Sequence, residues 1–266
     1  MTNICFAGVT GWTAPPILRA IAASTDLELV AGVARSTAGQ SLEEATGVKA
    51  AGTVYGSVAE ALDAGPVDVL VDYTSATAVK ANVEQAVDAG VHVVIGSSGL
   101  TADDYADLDR RAHSHGVGVI AAGNFSIMAA ILRRAATMAA RHLPRWEILD
   151  YASDTKSDVP SGTARDLAES LGEVRTPETT VPVDELTGPT EARGADIAGT
   201  RVHSLRLPGY VVTTEVSFAQ PGERLLMRHD PGLTPEPYVD GTLLAIRRAP
   251  ERIGVWRGLD RLLFDD

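Results

Sequence analysis

Five short apolar runs, Asn3–Ala7, Glu28–Val33, Val67–Tyr73, His92–Ile95 and Gly116–Ala121, alternate with stretches of helical period through the first half of the chain. Apolar runs of this length between turn residues read as strands buried on both faces. Strands that alternate with helices return parallel to one another through right-handed crossovers. The pattern restricts the first half to an α/β fold with a Rossmann-type parallel sheet, which binds ligands outside the carboxyl ends of its strands.

The turn after the first run carries the next constraint. Gly8-Val9-Thr10-Gly11-Trp12-Thr13-Ala14 stands between that strand and a helix predicted over Pro15–Ala23. Glycines let the backbone turn tightly and approach a pyrophosphate, and a small residue at the last position lets helix and strand pack closely. Gly8, Val9, Thr10, Gly11, Trp12 and Thr13 are therefore candidate cofactor-binding residues. The second strand runs into Ala34-Arg35-Ser36. A carboxylate at that point holds the ribose hydroxyls of NAD, whereas Arg35 and Ser36 offer a guanidinium and a hydroxyl to a phosphate. NADPH is the expected cofactor, with NADH as an alternative.

After Asn124-Phe125-Ser126 the texture changes. A helical stretch, Ile127–His142, leads to a strand at Trp146–Asp150, and Thr176–Thr200 is rich in Pro, Thr, Gly and Glu without period and reads as an extended loop. Arg201–Leu207 and Tyr210–Phe218 alternate like antiparallel strands, and Arg224–His229 adds another. The expected organisation is a dinucleotide-binding domain of residues 1–126 and 231–266. Residues 127–230 are expected to form an α+β substrate and oligomerisation domain with an open mixed sheet.

Within the second domain, Lys156 precedes a helix start at Ser161-Gly162-Thr163 by a short turn. The unpaired amides of a first helical turn and the positive end of its dipole favour a carboxylate or phosphate, and an ammonium nearby adds a movable charge. With a net charge of −12, an anionic substrate must be met by such local cations rather than by the overall field, and nucleic acid is a poor partner. Cys5 is the single cysteine and lies in an apolar run, so no disulfide framework forms within the chain. No run of about 20 apolar residues is present and the start lacks a signal-peptide pattern, so the expectation is a cytoplasmic protein without membrane contact.

These residues resemble the 4-hydroxy-tetrahydrodipicolinate (dihydrodipicolinate) reductase family. Gly8–Ala14, Val69–Thr74, Val94–Gly99, Ala122–Ser126, Lys156–Ala164 and Gly222–His229 are similar to its motifs, in its order. The resemblance implies hydride transfer from a nicotinamide nucleotide to a cyclic imine-type diacid, and a homo-oligomer, tetramer or dimer. It implies that Gly96, Ser97 and Ser98, with Ala122, Gly123, Asn124 and Phe125, line the nicotinamide. It also implies that Lys156 is the catalytic or orienting lysine, and that Gly162 and Thr163 bind a substrate carboxylate with Ser161 and Ser153 beside them.

The departures from the pattern are specific. The family places histidines four and three residues before that lysine, the first an acid/base, where this chain has Ala152 and Ser153. Its Arg-His pair is replaced by Asp154-Thr155, its Gly-Glu-His-Thr motif by Val212-Thr213-Thr214-Glu215, and an arginine of the glycine turn by Trp12. Hydride addition to C=N needs positive character at nitrogen, which an alanine cannot supply. The expected protein is an NADPH-dependent reductase of a C=N or conjugated C=C bond in a small carboxylate-bearing substrate. Lys156, Tyr151 or a water held by Ser153 are the candidates to replace the acid. A genuine lysine-pathway reductase and a non-catalytic NADP-binding protein are the alternatives.

Other polar groups carry less. The six histidines show no metal-ligand spacing, so no metal site is expected, and His113-Ser114-His115 and the carboxylates Asp103, Asp104, Asp107 and Asp109 read as solvated helix surface. His203 and Arg206, on one predicted strand, are left open between facing a ligand and a structural or surface role.

Overall fold

The computed structural model describes residues 1–264, which divide into two compact units, residues 1–127 with 235–264 and Met128–Thr234. In the first unit, β1 (Thr2–Ala7), β2 (Leu27–Val33), β3 (Thr53–Tyr55), β4 (Val69–Asp72), β5 (His92–Ile95), β6 (Gly118–Ala121) and β12 (Gly254–Arg257) form a seven-stranded sheet in the order β12-β6-β5-β4-β1-β2-β3. Every pairing is parallel. The strand order reverses beside β1, the kind of position where open α/β sheets bind ligands.

The crossover helices include α1 (Ala14–Ala23), α3 (Val58–Ala64), α4 (Val79–Asp88) and α5 (Ala102–His115). Val58, Ala61, Val79, Val83, Ala86, Val87, Leu108 and Ala112 pack on the inner residues of β1, β4, β5 and β6 in one core. The helix ends follow from local chemistry. Thr101 and Asp104 form a reciprocal capping box at the start of α5, and Gly116 closes it in the left-handed conformation at φ 68°. Asp104 also meets Lys80 at 2.5 Å, and Asp109 accepts the Val255 amide at 2.7 Å, so two carboxylates of the expected solvated face have structural work. Cys5 is fully buried, and burial together with the charge of Asp72 pushes its thiol up to about 12.

In the second unit, β7 (Trp146–Ala152), β8 (Ala195–Ile197), β9 (Thr200–Arg206), β10 (Val212–Gln220) and β11 (Glu223–His229) form a mixed sheet in the order β11-β10-β7-β9-β8. Side chains of α6 (Ile127–Ala140) and α7 (Gly162–Val174), among them Ala136, Ala140, Leu167 and Leu171, cluster with Trp146, Ile148, Val202, Val216 and Phe218 from one face of the sheet.

Several sequence expectations are corrected here. The segments Arg201–Leu207 and Tyr210–Phe218 are strands as expected, each with an antiparallel partner, but β9 also pairs parallel with β7, which lies between β9 and β10. The α7 crossover makes that parallel pairing possible. The stretch Thr176–Thr200 is not wholly a loop, since it contains two short 3-10 turns and the edge strand β8. Two further strands, β3 and β12, carry no strong pattern and extend the first sheet at its edges.

Candidate active site

The candidate nucleotide site is built at the carboxyl end of β1. Gly8 adopts φ +92°, and a Cβ there would lie 2.4 Å from the carbonyl oxygen of Tyr73, so only glycine fits. The Gly8 and Val9 amides donate to the Val33 carbonyl at 2.9 and 3.4 Å, which ties the turn to the end of β2. Gly11 donates to the Gly8 carbonyl at 2.9 Å. Thr13, the cap residue of α1, makes no side-chain hydrogen bond to the first helical turn. Pro15 and Pro16 bring no N–H there, so donors for an anion come from the turn itself.

Arg35 and Ser36 lie in a short 3-10 turn directly after β2, and both are exposed. Among the described residues no carboxylate pairs with Arg35. Trp12 is 62% exposed and meets Tyr238 edge-on with ring centroids 6.4 Å apart. Room for the backbone to approach and an uncommitted guanidinium suit a phosphate-bearing dinucleotide.

The loops after β4 and β5 are organised by two residues to which sequence reasoning gave no role. Asp72 is fully buried; its Oδ1 accepts from the Ser97 hydroxyl at 2.6 Å, the Thr74 hydroxyl at 2.8 Å and the Thr74 amide at 3.1 Å, and its Oδ2 accepts from Asn82 at 2.8 Å. The Tyr73 ring stacks on Phe6 and tilts against Phe125, and its hydroxyl shares a 2.8 Å hydrogen bond with Thr242. Burial pushes this phenol well above its ordinary range. An acid ending an all-buried apolar strand is the signal available for Asp72; Tyr73 lies in the Val69–Thr74 motif, which assigns it no role.

These contacts refine the expected nicotinamide lining. The Ser97 hydroxyl is committed to Asp72 and Thr74, and Phe125 is 2% exposed, so neither side chain faces outward. Ala122 donates its amide to the Ile95 carbonyl at 3.3 Å, and Asn124 accepts the Ser126 amide at 2.8 Å. Ser98 and Gly123 are exposed. Any contact from Ser97 and Phe125 must come through backbone.

The candidate substrate residues lie in the second unit. Ser161 caps α7, its hydroxyl accepting the Ala164 amide at 3.3 Å, while its own amide donates to Asp150 Oδ2 at 2.8 Å. Gly162 is exposed and a Cβ there would touch nothing within 4 Å, so the surface in front of the first turn is open. Thr163 is half-buried beside it. Lys156 is 29% exposed and its Nζ lies 2.8 Å from Asp158 Oδ1; that partner outweighs burial and holds the Asp158 carboxyl below its ordinary range. Ser153 shares a 2.9 Å hydrogen bond with the Thr155 hydroxyl and donates to Asp154 at 3.2 Å.

The open alternatives at His203, Arg206 and Tyr151 resolve into structural pairs. His203 Nε2 lies 2.7 Å from Glu147, and Arg206 pairs with the fully buried Asp150 at 2.8 Å, so its guanidinium is not a free carboxylate receptor. Tyr151 packs against Tyr210 and under Arg228, at 5.3 and 5.2 Å between centres. It alternates with Asp150 along β7 and so projects from the opposite sheet face. It is a poor substitute for the absent acid.

Comparisons with known proteins agree with this architecture. The family models for the N-terminus and the C-terminus of dihydrodipicolinate reductase match residues 2–125 and 125–263. The 4-hydroxy-tetrahydrodipicolinate reductase of Halalkalibacterium halodurans is 35% identical over 99% of this chain and 97% of its own length. That of Synechococcus elongatus is 36% identical over 96% of each. A dipicolinate-bound dihydrodipicolinate reductase from Paenisporosarcina sp. TG-14 superposes with TM-score 0.82 at 27% identity, covering 98% of this chain and 99% of that one. An amine dehydrogenase from Mycobacterium smegmatis shares the fold at TM-score 0.66 and 16% identity, covering 98% and 95%.

Proposed function

The chain belongs to the dihydrodipicolinate reductase family and is an NAD(P)H-dependent oxidoreductase, and from that premise we propose that it reduces a C=N, or conjugated C=C, bond in a small carboxylate-bearing substrate, with NADPH preferred. The observation that carries the reading is the open first turn of α7, whose amide donors suit a carboxylate, with the cation Lys156, held by Asp158 at 2.8 Å, shortly before its cap Ser161 in the chain. Gly8, Val9, Thr10, Gly11, Trp12 and Thr13 would hold the pyrophosphate, and Arg35 with Ser36 the adenosine-side phosphate. Gly96, Ser97, Ser98, Ala122, Gly123, Asn124 and Phe125 would position the nicotinamide, through backbone at Ser97 and Phe125. When bound, the cofactor supplies the hydride.

On the substrate side, Gly162 and Thr163 bind the carboxylate, Ser161, whose amide is held by Asp150 and whose hydroxyl caps α7, sets the turn that presents them, and Ser153 shapes the segment before it. Lys156 orients the substrate and delivers or stabilises the proton at nitrogen. Ala152 and Ser153 stand where the family pattern has its acid/base histidine and its neighbour, and loss of a general acid costs roughly 10²–10⁴ in rate. A substrate whose nitrogen arrives already protonated needs no such acid, and this favours a divergent member acting on a more basic imine. The near full-length identity of 35–36% to curated lysine-pathway reductases favours the second reading, a genuine 4-hydroxy-tetrahydrodipicolinate reductase with Lys156 as acid.

NADPH oxidation on 4-hydroxy-tetrahydrodipicolinate against a panel of cyclic imines and unsaturated acids separates these readings. Fast turnover of the first overturns the divergent reading, and tight NADPH binding without turnover of any member overturns both. A homotetramer through the uncovered sheet face is part of the proposal. It is supported by Leu226, 57% exposed and opposite Ser217 on that face, and by Leu207, 50% exposed at the end of β9, and light scattering tests it.

A further inference from the structure

Asp150 is an acid on the helix-covered face of β7, at 0% exposure, where Trp146, Ile148 and Ala152 are its companions along the strand. An ionised carboxylate is kept in such a place only when donors replace its water. Its Oδ2 receives three: the Ser161 amide at 2.8 Å, the Ser204 hydroxyl at 3.0 Å and Arg206 Nη2 at 2.8 Å. Burial acts to raise this carboxyl, and those donors outweigh it and hold it below its ordinary range.

Arg206 does not grip Asp150 as a two-pronged fork, the geometry that stabilises an arginine–carboxylate pair most. Asp150 Oδ1 and Arg206 Nε are both buried without a hydrogen-bond partner. The guanidinium is instead spread between sites: Nη1 donates to the carbonyls of Leu205 at 2.9 Å and Asp150 at 3.3 Å, and Nη2 also donates to the carbonyl of Asp158 at 2.8 Å. Asp158 in turn holds Lys156 at 2.8 Å. A single polar chain thus runs from the cap of α7 through Asp150, Arg206 and Asp158 to the ammonium of Lys156.

We propose that Asp150 and Arg206 are positioning residues that set the distance between the Lys156 ammonium and the first turn of α7, and thereby select where a substrate carries its carboxylate relative to its reacting nitrogen. The inference rests on the anion-binding reading of those two elements given above. Splitting the guanidinium between a carboxylate and a backbone carbonyl sacrifices the strongest pairing geometry, as expected of a spacer rather than of a pair serving stability alone.

The test uses the full-length protein with dipicolinate as the anionic probe. Arg206→Lys keeps the charge but cannot span both partners, and it is expected to weaken dipicolinate binding about tenfold or more while the NADPH Kd stays within about twofold. With a turned-over imine, KM rises and kcat changes less. Asp150→Glu, which keeps the carboxylate, is expected to retain more binding than Asp150→Asn. Wild-type affinity in Arg206→Lys, or NADPH and dipicolinate affinities falling in parallel with melting temperature, overturns the proposal. Failure of the wild-type protein to bind dipicolinate counts against the substrate reading instead. Hydrogen exchange then decides the brace: about tenfold faster exchange over residues 154–164 in Arg206→Lys, with the core of α6 unchanged, supports it, and unchanged protection overturns it.

Discussion

The Tyr73 ring lies directly under Gly96: a Cβ built on that glycine would sit 2.2 Å from the ring's Cε1. The ring cannot yield, because Phe6 stacks on it at 5.8 Å, Phe125 tilts against it at 5.9 Å and Thr242 holds its hydroxyl. The same residue's carbonyl oxygen lies under Gly8. One residue therefore lets both candidate cofactor loops sit close to the sheet.

Gly96→Ala is accordingly expected to destabilise the protein by about 1–3 kcal/mol, the usual cost of forcing a methyl into a filled core, and to weaken NADPH binding with it. Chemical denaturation and a nucleotide titration check both. Tyr73→Phe, which keeps the ring and loses only the hydroxyl pair with Thr242, should cost about 1 kcal/mol and leave binding largely intact.

Arg35 should decide cofactor choice. An exposed guanidinium without a carboxylate partner among the described residues gains most from a phosphate, a charge-assisted contact that NADH cannot make. Arg35→Ala is expected to raise the NADPH Kd roughly 10- to 100-fold and leave that of NADH nearly unchanged. Equal loss for the two nucleotides would mean that the residue supports the turn rather than reads the phosphate.

Lys156→Met removes the ammonium while keeping much of the side chain's bulk. If the lysine supplies or stabilises the proton, kcat is expected to fall roughly 10²–10⁴-fold with NADPH affinity unchanged. A purely orienting role would appear as a rise in KM at nearly constant kcat. Asp158→Asn, which releases the ammonium from its 2.8 Å partner, separates restraint of Lys156 from its charge.

His92 gives a pH dependence independent of catalysis. Its Nδ1 accepts the Gly118 amide at 2.9 Å, which requires the unprotonated ring nitrogen, and burial outweighs the pull of Asp68 to hold its pKa below 6.5. The unfolded chain then binds the proton more readily, so stability present above pH 6.5 is lost as pH falls through that value toward the lower folded one. His229, also lowered by burial, adds to the same trend, so the readout is a difference. His92→Asn should show a shallower loss of melting temperature across this window than the wild type; identical slopes count against the assignment.

Much of the first unit is legible because buried parallel strands must be largely apolar, and β1, β2, β4, β5 and β6 are, polar residues being confined to strand ends and to Glu28. β3 and β12 escape because they are edge strands, each with a single buried residue, so no continuous apolar run marks them. In the second unit β7, β9, β10 and β11 are legible but their neighbours are not, since alternation states which face is buried and says nothing of which strand lies alongside. The partnership of Asp150 with Arg206 is hidden for the same reason. It depends on β7 and β9 lying side by side with Asp150 opposite Ser204, a register no local pattern encodes.

Trp12 offers a direct view of the nucleotide turn. It is 62% exposed, while Trp146 is 4% exposed, donates to Thr200 at 3.1 Å and belongs to the second unit's core. Trp256 lies beneath Arg252, 4.5 Å from ring centre to guanidinium. An exposed indole beside the glycine turn can fold over a bound dinucleotide, burying apolar surface worth about 25 cal/mol per Å². NADPH is therefore expected to quench and blue-shift the fluorescence, and Trp12→Phe to remove most of that change with only a few-fold loss of affinity. Undiminished quenching in Trp12→Phe would leave the indole as a cover for the turn, its edge contact with Tyr238 being structural. A loss of affinity beyond about a hundredfold would instead make the aromatic ring a principal binding group, standing where an arginine occupies the family's pattern.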